Sequence, residues 1–172
     1  MKKMMTLALA ALLALSLPAG ILAEDAAPAT WTVEEMVAFG IQDEVNAEAA
    51  YRMVLDTFGA DARPFSNIIR AERAHQALLA PLMAKYGVPM PQAADTAVPE
   101  TFADALALGV RAEQENIAIY EGFLAQGQLP ADVQAVFERL LAGSEKHLEA
   151  FSGGRGGRGA WQHQPRGGRG RR

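Results

Sequence analysis

The sequence predicts an all-α protein, an antiparallel four-helix bundle with one long crossover between helices two and three. Three observations predict it. Four stretches carry apolar residues at three- and four-residue spacing, the mark of a helix with one buried face. The connections between them run short, long, short. Each apolar stripe is also interrupted near its middle by Glu, His or Tyr, in a pattern that nearly occurs twice. Glu44 stands before Tyr51 as Glu113 stands before Tyr120, so both members of the pair recur at one constant offset. Glu72-Arg73-Ala74-His75 is followed, at nearly the same offset, by Ser144-Glu145-Lys146-His147, with Ser144 where a second Glu is expected.

The first helix opens at Thr32-x-x-Glu35, which reads as a capping box, and runs to about Phe58 before Gly59. Its stripe includes Val37, Ile41, Glu44, Glu48, Tyr51 and Leu55. The second helix covers about Phe65 to Tyr86 and is stopped by Gly87 and Pro89; its stripe includes Ile68, Glu72, His75 and Leu79. The third, about Glu100 to Ala125, carries Leu106, Gly109, Glu113, Ile117, Tyr120 and Leu124. The fourth, about Ala131 to Phe151, carries Phe137, Leu140, Ser144 and His147, and ends before Gly153-Gly154. Short first and third connections make helices one and two antiparallel, and likewise three and four. The middle connection, 87–99, contains Pro89, Pro91 and Pro99. It can reach ~43 Å, against ~33 Å for a helix the length of the second, so it can return along the bundle and set helices two and three parallel.

Composition bounds the rest. The chain has 172 residues, half of them hydrophobic and 21% charged, which suits one folded domain and not a disordered protein. Met1-Lys2-Lys3, an apolar run from Leu7 to Leu17 and a small residue at Ala23 read as a secretory signal peptide over 1–23. The apolar run is short for the ~20 residues of a membrane span. Residues 24–31 read as a linker, 32–151 as the helical domain and 152–172 as an Arg/Gly-rich tail. The protein is thus expected to be exported, to the periplasm or beyond. It has no cysteine, so it uses no disulfide and carries no cysteine-linked lipid. Residues 24–151 hold 8 Lys/Arg against 20 Asp/Glu, hence −12, whereas the tail holds six Arg and no acid. Arg-Gly repeats often contact RNA. Behind a signal peptide the expected partner is instead an anionic envelope surface, reached through charge, and no nucleic acid.

Carboxylates at positions where Leu belongs need a cation, because an ionised carboxylate in a dry core costs several kcal/mol unless paired or metal-bound. Glu-x-x-His puts both side chains on one helical face, one turn apart. Glu44, Glu72, His75, Glu113 and His147 are therefore candidate metal ligands. Glu48, one turn from Glu44, is the best substitute for the carboxylate missing at Ser144. Glu115 and Glu145 lie off the seam. Mixed Glu/His donors suit iron or manganese, with zinc open. The seven Met form no run that would suit copper; Met36, Met53 and Met83 read as packing residues.

At these residues the chain resembles the ferritin-like superfamily. Glu44-x6-Tyr51 with Glu72-x2-His75 is similar to the first half of a ferritin or rubrerythrin ligand set. The strings Asp43-Glu44, Phe65-Ser66-Asn67-Ile68-Ile69, Tyr86-Gly87 and Gly143-Ser144-x-x-His147-Leu148 resemble more closely a bacterial ferritin-like domain family of unknown function. The resemblance covers about residues 35–151. It implies one metal site at Glu44, Glu72 and His75, and another at Glu113 and His147, with Glu72 bridging. It gives Tyr51 and Tyr120 the role of groups that hydrogen-bond a ligand or pass an electron. The expected activity is that of a di-iron or di-manganese centre acting on oxygen, peroxide or Fe(II). The alternative is a non-catalytic envelope module with one degenerate metal site. The expected partners are a metal ion or a small oxidant, and a dimer is compatible with the fold.

Overall fold

The computed structural model describes residues 30–153, so the signal-peptide reading and the tail beyond Gly153 lie outside the described residues. Four helices and no strands occur among the described residues: α1 (Val33–Phe58), α2 (Phe65–Tyr86), α3 (Phe102–Ala125) and α4 (Ala131–Phe151). None of these is long and apolar enough to cross a membrane.

The local chemistry accounts for the ends. The Thr32 hydroxyl accepts from Glu35 N while Glu35 accepts from Thr32 N, closing the capping box that starts α1. Gly87 ends α2 at φ +71, a left-handed conformation that a side chain would strain, and its N–H returns to Met83 O. Helix α3 starts two residues later than Glu100. Thr101 is the residue whose hydroxyl accepts from Asp104 N, so it caps the helix and Glu100 stays outside.

Contacts along the helices give their directions. Trp31 and Gln126 bond each other across the start of α1 and the end of α3. Lys85, in the last turn of α2, pairs with Asp132 in the first turn of α4. Both neighbouring pairs are thus antiparallel, and α2 runs parallel to α3. The connection between them, residues 87–101, has no regular structure and is pinned along α1. Gln42 donates to Gln92 O, and Asn46 accepts from Ala94 N, both at 2.9 Å.

Apolar clusters fill the two ends of the bundle. One gathers Met36, Ile41, Leu79, Tyr120, Phe123, Phe137 and Leu140; the other gathers Tyr51, Val54, Phe65, Ile68, Ala105 and Phe151. On α3 the buried face includes Asn116 and Phe123 in place of the expected Ile117 and Leu124. Phe123 packs edge-on against Trp31, Phe39 and Phe137, with centroids 5.1–5.8 Å away, which turns that face by one residue.

The internal repeat extends into this packing. Gly40 and Gly109 stand at the same offset as Glu44 and Glu113, and both are positions of close approach. A Cβ on Gly40 would sit 3.5 Å from Leu79. One on Gly109 would sit 2.7 Å from Phe151, which stands to Leu79 as His147 stands to His75. Tyr51 packs on Phe65 at 5.5 Å between centroids, and Tyr120 on Phe137 at 5.7 Å. The two helical hairpins, α1–α2 and α3–α4, are therefore related in three dimensions as well as in sequence.

Candidate metal centre

Between the two apolar ends lies a layer of buried polar groups: Glu44, Glu72, Glu113, Asn116, Ser144 and His147. Helical spacing brings them to one height, since Glu72 and His75 are one turn apart on α2, as Ser144 and His147 are on α4.

Glu72 is the hub. Its Oε2 lies 3.2 Å from His75 Nδ1, which is also 3.2 Å from Glu44 Oε2. Its Oε1 lies 3.2 Å from His147 Nδ1, which is 3.3 Å from Glu113 Oε1. Two groups result, Glu44–Glu72–His75 and Glu72–Glu113–His147. In each, one imidazole nitrogen and two carboxylate oxygens lie within 4.8 Å of one another, a donor set that could hold a metal ion. All four helices contribute.

The tyrosines cross between the hairpins. Tyr51 of α1 donates to Glu113 Oε1 of α3 at 2.9 Å. Tyr120 of α3 donates toward α1, to Asp43 Oδ2 at 3.2 Å and Glu44 Oε1 at 3.5 Å. Burial, reinforced by these carboxylates, pushes both phenols well above the usual tyrosine range, so both remain donors.

Both imidazoles of the layer hold their protons against its carboxylates. Burial opposes the charged form of His75. The hydrogen bonds and charges of Glu44 and Glu72 outweigh it and push the imidazole up to about 10. Glu113 and Glu72 do the same for His147, to about 9. Burial alone would raise Glu72, but hydrogen bonds from His147, His75 and Glu44 hold it down at about 2. Glu44 is pushed well above the carboxylate range by burial and by Glu72, against the pull of His75. Asp43 rises to about 7 through burial and the charges of Glu72 and Glu113, although Tyr120 and Asn116 hydrogen-bond it.

These shifts set how the metal-free protein responds to pH. Groups raised in the fold stabilise it below their ordinary values and lose that contribution as pH rises through the folded ones. The windows run from 6.5 to about 10 for His75, 6.5 to about 9 for His147, and 3.8 to about 7 for Asp43. Glu72, being depressed, loses its contribution as pH falls from 4.5 to about 2. With chelator present, stability is expected to be greatest at about pH 4–5 and to fall by on the order of several kcal/mol toward pH 10. Thermal unfolding at the two ends of that range checks it. Greater stability at the alkaline end contradicts it.

Of the six metal-ligand positions read from sequence, five meet in this layer and Glu48 does not. Its Oε1 pairs with Arg73 Nε at 2.8 Å and with Arg52, and its Oε2 accepts from Gln76 at 2.9 Å. One turn along α1 from Glu44, it has drifted to the edge facing α2, where Arg73 and Gln76 stand, and these partners hold it below the usual carboxylate range. Ser144 therefore has no substitute carboxylate from Glu48. Among the described residues no Lys or Arg pairs with Glu44, Glu72 or Glu113. Glu115 and Glu145 are exposed, as their off-seam positions predict.

Three residues of the layer escaped the sequence-based ligand assignment. Asp43 and Asn116 extend the Tyr120 arm. Gly143 makes room for His75, because a Cβ there would meet His75 Cε1 at 2.4 Å and Nε2 at 2.6 Å. The available signals were an Asp adjoining Glu44 and a glycine in mid-helix, which costs about 1 kcal/mol unless something requires it.

The fold is similar to the crystal structure of a hypothetical protein, MJ0754, from Methanococcus jannaschii DSM 2661. The TM-score is 0.60, over 79% of this chain and 82% of that one, at 23% sequence identity. At that identity the likeness shows the shared fold alone. No family model and no curated protein matches the chain.

Proposed function

We propose that the protein is an exported, ferritin-like metal protein whose two Glu/His groups hold a pair of iron or manganese ions and act on oxygen, peroxide or Fe(II). The observation that carries this reading is Glu72, which offers one oxygen to each His-containing group in a buried layer without Lys or Arg partners among the described residues. Its carboxylates are balanced either by protons on the two imidazoles or by bound cations, and the shared Glu72 sets both donor groups to take the cations. The donor set fits iron or manganese, and zinc to a lesser degree.

Glu44 and His75 would hold one ion, Glu113 and His147 the other, with Glu72 shared. Iron or manganese bound there would supply one-electron redox chemistry toward oxygen or peroxide. Tyr51 and Tyr120 orient Glu113 and Glu44 by hydrogen bonds, as outer partners of metal ligands do. Phe65, Phe137 and Phe151 close the layer against water from both ends. Loading at neutral pH would displace the protons that His75, His147 and Glu44 retain in the metal-free protein, so uptake is favoured by rising pH.

Ser144 favours a second reading, a non-catalytic envelope protein with one strong metal position. Metal content separates the two. The protein, purified without a metal-binding tag and reconstituted with Fe(II) or Mn(II), is expected to hold close to two ions per chain and to consume oxygen or peroxide in an Fe(II)-dependent manner. One redox-inert ion per chain selects the second reading. No uptake of Fe(II), Mn(II) or Zn(II) rejects both.

A further inference from the structure

The two donor groups differ in which helices build them. Glu44, Glu72 and His75 all stand on α1 and α2, so the first group lies within one helical hairpin. In the second, Glu72 comes from α2 while Glu113 and His147 come from α3 and α4, so that group spans both hairpins. The broken repeat accounts for the difference. The counterpart of Glu72 on α4 is Ser144, which carries no carboxylate. Hairpin α3–α4 therefore gives the His75 group no charged donor. It meets that group only through the Tyr120 hydroxyl, 3.5 Å from Glu44 Oε1, and through Gly143, which lies against the His75 ring.

The same division runs through the fold. Within each hairpin the helices are joined by the short connections 59–64 and 126–130, whereas the irregular crossover 87–101 alone joins hairpin to hairpin. Hairpins of this kind are the units in which small domains open short of full unfolding. At one end of the bundle the polar ties between them are exposed, Trp31 with Gln126 and Lys85 with Asp132. Such ties hold weakly in water. The buried ties lie in the polar layer, where Glu72 meets His147 at 3.2 Å and Tyr51 donates to Glu113 at 2.9 Å. An ion held by Glu72, Glu113 and His147 is bonded to both hairpins and is lost when they part. An ion held by Glu44, Glu72 and His75 stays with α1–α2 whether they part or not.

We propose that the two metal positions have different structural effects: the ion at His147 clamps the two hairpins together, and the ion at His75 is carried by α1–α2 alone. This rests on the two-metal reading above. A bound ion stabilises only those states that keep its site. The ion at His147 thus opposes separation of the hairpins, and the ion at His75 leaves it unchanged.

The test is amide hydrogen exchange of the full chain, read by mass spectrometry helix by helix, with Mn(II) and with chelator. Glu44→Gln empties the His75 group and Glu113→Gln the His147 group, so each variant holds one ion in a known place. Metal analysis confirms that count first. In Glu44→Gln, free Mn(II) at about 100 times its dissociation constant is expected to slow the protected amides of α3 and α4 about 100-fold. In Glu113→Gln, Mn(II) is expected to slow α1 and α2 and leave α3 and α4 at their rate in chelator. Should either variant not fold, His75→Ala and His147→Ala empty the same two groups. Equal slowing of α3 and α4 in both variants, or slowing in neither while each holds its ion, overturns the proposal and leaves the metal reading intact. Failure of the wild type and both variants to hold Mn(II) overturns the metal reading itself, and the clamp with it.

Discussion

Glu72→Gln is expected to remove metal from both halves of the centre at once. The substitution preserves shape and takes away the one charge that both imidazoles share. Both ions are expected to bind more than about 100-fold weaker, since even outer partners of metal ligands are worth 10- to 100-fold. Glu44→Gln and Glu113→Gln each touch a single group and should cost one ion. The metal-free variant should also lose stability, on the order of several kcal/mol at neutral pH. Two imidazolium groups that Glu72 compensates would keep their burial and lose their counter-charge. Metal analysis after dialysis, with thermal unfolding in chelator, reads both effects. Two ions retained in Glu72→Gln would mean that Glu72 is not the shared ligand.

Gly143→Ala is expected to damage the His75 half selectively. The added methyl would lie 2.4 Å from His75 Cε1, and the ring cannot retreat without lengthening its 3.2 Å contacts to Glu44 and Glu72. The cost should be about 1–3 kcal/mol, typical of overpacking, together with loss of one metal ion and retention of the other. Gly122→Ala is the control. It lies exposed within α3 with nothing within 4 Å of an added Cβ, so alanine should be neutral or stabilising by up to about 1 kcal/mol. Equal behaviour of the two variants would show that the close approach at Gly143 has no consequence for the centre.

Much of the fold was legible because its signals are local. Thr32 and Glu35 mark one helix start within a single turn, and Gly87 marks one end by itself. The five Glu and His of the centre were legible because helical spacing places them on a seam that apolar neighbours define. What was not legible depends on which helix faces which. Glu48 shares that seam, yet Arg73 reaches it from another helix. Gly143 matters only because α2 and α4 approach closely at His75. The turn of the α3 face follows from Phe123 meeting Trp31, a contact between residues far apart in the chain. Thr101 could have been read as the cap from Asp104 three residues on, and the error at Glu100 is one of competing local signals.

The apolar ends and polar middle of the bundle also answer a question that any set of amphipathic helices faces, namely how far each can slide past the next. Leucine-like stripes are nearly indifferent to a shift of one turn, about 5.4 Å. Here such a slip would carry Glu72 past His147, or Glu44 past His75, and seat a charged oxygen against side chains such as Ile68, Leu79 or Phe137 of the facing helix. An uncompensated buried charge costs about 3–5 kcal/mol, a large share of the net stability of a small domain. The crossed tyrosines add the same demand between hairpins, since Tyr51 and Tyr120 find their carboxylates at one vertical alignment only. The layer thus acts as a detent that selects a single stacking of the four helices.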